Sequence, residues 1–228
     1  MILTVIKIAA SVLLGIPAGF GAVYVFNKMP AAWLTDYDAK PPAELTDPHI
    51  QRVKGFPWRW IYAAGFCCLL IRLSFFDVQF AAAGLFACWA MLIIGLADLK
   101  YMIIPDQFVI MLAISAFGFI PYHSGLMQPL MGALIGGGVM LMVAVLGGAA
   151  FKKEVLGFGD VKLFACLGLA LGLTGTVVVL IGASILSGIG AAIALASGRA
   201  KKDDAKPLGP YICGMGIFYI FIVWPFLG

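Results

Sequence analysis

Residues 78–98 read VQFAAAGLFACWAMLIIGLAD. Gln79 is the only amide or charged side chain before the terminal Asp98. A helix that crosses a bilayer needs roughly 20 mostly apolar residues, so this run is a membrane span that ends on a carboxylate. A carboxylate at membrane depth is costly and marks a functional site by default. A second one stands in Gly157-Phe-Gly-Asp160-Val-Lys162, at the head of another apolar run. Two such acids, each edging a span, suggest a dyad that shares one proton and activates water.

The rest of the chain has the same character. Of its 228 residues, 63% are hydrophobic and 11% charged, whereas a soluble domain is about half apolar and about a quarter charged. The expected fold is an all-α, polytopic membrane protein with about eight transmembrane helices. Their expected ranges are 5–26, 58–76, 78–97, 106–123, 126–148, 160–176, 177–197 and 208–228. Residues 1–26 read as a retained first span, because no small-residue cleavage pattern with a polar mature start follows. Residues 27–57 read as a loop with an interfacial helix near 43–54, too poor in apolar residues for a core of its own. Residues 58–228 then form a seven-helix catalytic core. Span six is expected to break from span seven at Leu173-Thr-Gly-Thr176.

Charge orients the chain. Thirteen of the fifteen Lys and Arg residues fall in alternate loops, and only Lys7 and Arg72 lie on the other side. The positive-inside rule puts the 27–57 loop in the cytoplasm. Asp98 then ends span three, and Asp160 starts span six, at the same cytoplasmic face. The basic residues cluster in a few loops and form no stripe, so no nucleic-acid partner is expected. The lipid bilayer is the expected surround.

Asp98 lies near a helix C-terminus, where the dipole disfavours negative charge. Asp160 and the cation of Lys162 lie in a helix first turn, which favours a carboxylate. On that argument Asp160 carries the charge and Asp98 the proton. Asp106, after Pro105, reads as a capping carboxylate. Gly157 and Gly159 let an extended peptide backbone approach Asp160. With Lys162, and with Pro207, Gly209 and Pro210 as a deformable element opening span eight, they make up the expected substrate-binding set. The glycines of 132–148 read as helix-packing residues.

His49 and His123 are isolated in loops, and the cysteines 67, 68, 88, 166 and 213 lie in apolar segments without a CxxC pair. No metal site is expected. The rival reading is a transporter or proton channel with Asp98 and Asp160 as relay carboxylates. It predicts acids near midmembrane and paired broken helices. A third is an inert assembly factor, which would tolerate Asp→Asn.

Asp98 with Ile104-Pro-Asp106, Gly157-Phe-Gly-Asp160-Val-Lys-Leu163 with Gly168 and Gly172, and Pro207-Leu-Gly-Pro-Tyr211 together resemble the type IV prepilin peptidases. These are intramembrane aspartic proteases of the GxGD type. The likeness runs from about Gly84 to Tyr219, and Asn27-Lys-Met-Pro30 is loosely similar to the family's Asn-Val-x-x-x-Arg-x-Pro region. It implies an enzyme of the bacterial inner membrane that cuts the basic leader from prepilins or pseudopilins at the cytoplasmic face, with Asp98 and Asp160 as the catalytic pair. Proteolysis needs no cofactor. Many members also methylate the new N-terminus with S-adenosylmethionine and carry a zinc domain after span one. This chain has a loop there without those cysteines, so no zinc is expected and methylation is left open.

Overall fold

A computed structural model describes residues 2–35, 41–47, 50–152, 156–198 and 206–227. His49, Lys40, Lys153, Arg199, Lys201 and Lys202, used in the metal and charge arguments above, lie outside the described residues. The protein is an all-α, polytopic membrane protein, with no strand among the described residues. Its helices are α1 (Ile2–Lys28), α2 (Ala43–Thr46), α3 (Trp58–Phe76), α4 (Val78–Tyr101), α5 (Asp106–Phe119), α6 (Met127–Phe151), α7 (Phe158–Ala196) and α8 (Gly209–Phe218). A π-helical turn (Tyr219–Val223) and a last short helix, α9 (Trp224–Leu227), continue α8.

Six helical segments are long and apolar enough to cross a membrane, and Asp106–Tyr122 is apolar but shorter. At 39 residues, α7 would measure about 58 Å if straight, against roughly 30 Å of hydrocarbon. It is not straight. Gly172 has φ 69° and ψ −177°, a conformation open only to glycine, and the chain turns back there. The neighbours of each arm establish the reversal. Cβ atoms added at Gly175, Gly182 and Gly190 would strike Tyr219, Met215 and Tyr211 in turn, so the second arm runs antiparallel to α8. The first arm runs with α8, since Asp160 lies near Cys213 and Leu167, further along, faces Gly216. Two arms of α7, α5 and the five other long segments account for the eight expected apolar runs. The break falls at Gly172 itself, just before the expected Leu173–Thr176.

His123 explains the choice of glycine. A Cβ at Gly172 would lie 2.8 Å from His123 Cε1, and His123 Nε2 sits 3.1 Å from Ala170 O. The histidine that looked isolated in sequence packs into the reversal and against the ring of Trp224 at 5.1 Å. Gly172→Ala should therefore destabilise the protein by about 2 kcal/mol, from backbone strain and from the contact with His123. Denaturant titration in detergent micelles measures this, and an unchanged midpoint would place the turn elsewhere.

Helix contacts are close where small residues meet. A Cβ at Gly168 would lie 2.2 Å from Gly132 O, and one at Gly132 would lie 2.4 Å from Gly168 O. The α6 and α7 backbones therefore touch, as the Gly-rich stretch suggested. At the membrane end away from Asp98, Asp77 caps α4 by accepting from the N–H groups of Gln79 and Phe80. It also accepts from the Tyr122 hydroxyl. Phe80, Phe119 and Trp224 pack there with centroids 5.0–5.2 Å apart. This lock ties the start of α4 to the ends of α5 and α8.

The described part of the 27–57 segment packs onto the membrane helices. Among the described residues, only Ala43–Thr46 is an α-helix in the stretch expected to be interfacial. Met29, Leu34, Leu45 and Arg52 are all buried. These few apolar residues need no core of their own, because Met29, Leu34 and Leu45 belong to the same buried cluster as the membrane helices.

Candidate active site

Asp98 lies in the last turn of α4 and Asp160 is the third residue of α7. The end of one helix and the start of the other meet. Both acids are buried, with 6% and 9% of their surface exposed. Their charges interact directly, and Cys213, one turn into α8, lies in the field of both. Gly157 is the N-cap of α7, and Asp160 N–H donates to its carbonyl at 3.1 Å. No side chain caps this end.

The third contributor is α8. Its first residue, Gly209, donates its N–H to Asp98 Oδ2 at 2.7 Å. Asp160 Oδ1 is buried and has no hydrogen-bond partner among the described residues. This differs from the dipole expectation. The available backbone donor comes from α8 rather than from the free N–H groups of α7, and it goes to Asp98. Gly209 must be glycine, because a Cβ there would lie 2.6 Å from Asp98 Oδ2. Pro210 borders the same place, 3.7 Å from a Cβ built on Gly95.

The other expected substrate-binding residues spread outward. Gly157 is exposed, with its Cβ position 3.8 Å from Asp160 Oδ2. Gly159 packs under Ile104, 3.1 Å from its Cβ position. Pro207 is half-buried on the approach to α8. Lys162 turns away from the acids, since residues two apart on a helix do not share a face. It pairs with both carboxylate oxygens of Asp106 at 3.0 Å. Asp106 is thus a bridge between α5 and α7 rather than a cap: Pro105 is the N-cap of α5 and no side chain caps it.

Sequence reasoning saw the Pro207–Pro210 element as deformable but missed its donor role. Its signal was a lone glycine held between prolines at a helix mouth. Cys213 had no signal beyond apolarity, and Ile104 was marked only as part of the Ile104-Pro-Asp106 motif.

No group of three or more His, Cys, Asp or Glu placed to hold a metal occurs among the described residues. The cysteines sit in α3, α4, α7 and α8, and none is in the 27–57 segment. The residues present therefore do not fit a four-cysteine zinc domain.

The family model of the type IV leader peptidases matches residues 85–194, which include both acids. A prepilin leader peptidase/N-methyltransferase of Pectobacterium carotovorum is 30% identical over 213 residues, covering 78% of this chain and 73% of that protein. Its namesake in Pseudomonas aeruginosa is 31% identical over 150 residues, covering 63% of this chain and 50% of that protein. The one from Stutzerimonas stutzeri is 27% identical over 149 residues, again with half of its length matched. No solved structure matches the chain. With its two buried acids inside the matched region and its likeness to the Pectobacterium enzyme extending well beyond it, the chain belongs to the type IV leader peptidase family.

Proposed function

We propose that this protein is an aspartic endopeptidase that removes the leader peptide from type IV prepilins or pseudopilins at the cytoplasmic face of the bacterial inner membrane. The observation that carries the reading is the meeting of Asp98 and Asp160, two buried carboxyls from separate helices, beneath the Gly209 N–H. Two carboxyls this close do not both ionise readily, so the pair holds one proton. The ionised member takes a proton from water as the water attacks the scissile carbonyl. The protonated member gives its proton to the carbonyl oxygen, forming a neutral tetrahedral diol. The proton gained from water then passes to the leaving amine, one hydroxyl of the diol returns its proton to the other carboxylate as the C–N bond breaks, and the pair again holds one proton.

The glycines at 157 and 159 leave room for an extended backbone beside Asp160, and the apolar part of the substrate stays in the bilayer. Hydrolysis by this route uses the chain's own residues only. N-methyl transfer is the second activity in the relatives' names, and one assay addresses both.

The test uses sealed membrane vesicles carrying the protein and a synthetic prepilin with a basic leader, a Gly and an apolar helix. Inside-out vesicles should release the leader by a cut after the Gly, and right-side-out vesicles should not. A methyl group on the new N-terminus in the presence of S-adenosylmethionine would add the second activity. An intact substrate in both orientations would overturn the reading.

A further inference from the structure

The 27–57 segment reaches the turn that carries Asp98 through a continuous run of hydrogen bonds. Asn27, at the end of α1, pairs with Val53 in both directions. Its Nδ2 donates to Val53 O, and Val53 N–H donates to its Oδ1, each at 2.9 Å. Next to it Arg52 is buried. Its guanidinium donates to Phe26 O at 3.0 Å and to Leu45 O at 3.4 Å. The carbonyl of Arg52 in turn accepts from Lys100 Nζ at 2.7 Å. Lys100 also pairs with Glu44, and the neighbouring ring of Tyr101 stacks on Phe26 at 6.4 Å.

The last turn of α4 needs such a hold. Helix ends open more easily than their middles. This one closes on Met102 in the left-handed region, at φ 54°, which costs a non-glycine residue about 1 kcal/mol or more. Met102 N–H donates to the carbonyl of Asp98 itself. Any loosening of the turn therefore moves the acid. Lys100 cannot act on the Asp98 carboxyl directly, because the two point to different sides of the helix.

We propose that Lys100 is a positioning residue for the peptidase reaction: through the Arg52 carbonyl and Glu44 it fastens the Asp98 turn to the 27–57 segment. The segment is then part of the active-site frame, joined by hydrogen bonds. The exposed Glu44 pair contributes little by itself; the bond to the backbone of the buried Arg52 supplies the hold. This inference rests on the catalytic assignment of Asp98.

The test uses the full chain in detergent with Lys100→Met, Lys100→Arg and Glu44→Gln. A small displacement at a reacting group costs rate rather than binding, so Lys100→Met should lower kcat about tenfold or more while KM changes by less than about twofold. Lys100→Arg, which keeps a cation and several donors, should restore most of the rate. Glu44→Gln should have the smaller effect. Hydrogen exchange of the 97–102 amides should quicken in Lys100→Met and return in Lys100→Arg. A raised KM with unchanged kcat would place Lys100 on the substrate instead. Unchanged rate and unchanged exchange would remove the hold altogether. If the unaltered protein cleaves no prepilin, the proposed function fails, and the exchange measurement still decides whether Lys100 fastens the turn.

Discussion

Asp98→Asn and Asp160→Asn should each lower prepilin cleavage by roughly 10³-fold or more, because each removes one half of a proton-transfer pair. The fold should survive both. Asparagine keeps an oxygen that can accept the Gly209 N–H, and at position 160 it occupies the volume of the acid it replaces. A thermal transition within a few degrees of the unaltered protein checks this. Near-normal cleavage by either variant would remove the dyad from the mechanism.

The same variants locate the shared proton. Asp98 accepts a backbone N–H, which favours its ionised form, and Asp160 Oδ1 has no such donor. The proton is then expected on Asp160, the reverse of what helix dipoles alone suggest. The infrared band of a protonated carboxyl should persist in Asp98→Asn and vanish in Asp160→Asn. The opposite pattern would return the charge to Asp160. A pair coupled this closely titrates as a unit, so pH–rate profiles do not separate the two.

What was legible in the sequence follows from the range over which each signal acts. The run 78–98 announces a span by local composition, Asp98 stands out because nothing near it in sequence accounts for a buried charge, and Asp160 stands out by its place at the head of a span on the same face. The reversal in α7 was visible as a weak point near Leu173. Its position at Gly172 depends on His123, which is distant in sequence and comes near only in the folded bundle. The donor to Asp98 lies 111 residues further on, and no local pattern states that pairing. The docking of the 27–57 segment is hidden from the sequence for the same reason. Met29, Leu34 and Leu45 are too few for a core, yet each is buried because the membrane helices supply the other side. Arg52 reads as one more positive-inside residue, whereas its guanidinium is spent on Phe26 O and Leu45 O.

Gly209→Ala should damage catalysis by a single added methyl group. The added Cβ would lie 2.6 Å from Asp98 Oδ2 and 3.0 Å from both Asp98 Cβ and Cγ. Real Cβ contacts are not that short, so one partner must move. On one side the first turn of α8 is held by Pro210, with its fixed φ, and by the bonds of Tyr211 and Ile212 N–H to Leu208 O. On the other side Asp98 is fixed through the Met102 bond and the tie at Lys100. The softest coordinate is the Asp98 side chain, which would rotate away and lose the 2.7 Å bond from Gly209 N–H. Losing one preorganised donor and misplacing one reacting carboxyl together should lower kcat about 10²-fold, with KM within about threefold. Gly214→Ala is the control, because it adds the same methyl group to the same helix with no neighbour within 4 Å. It should leave cleavage unchanged. If Gly209→Ala cleaves as fast as Gly214→Ala, the Asp98 carboxyl does not need its place under α8 for catalysis.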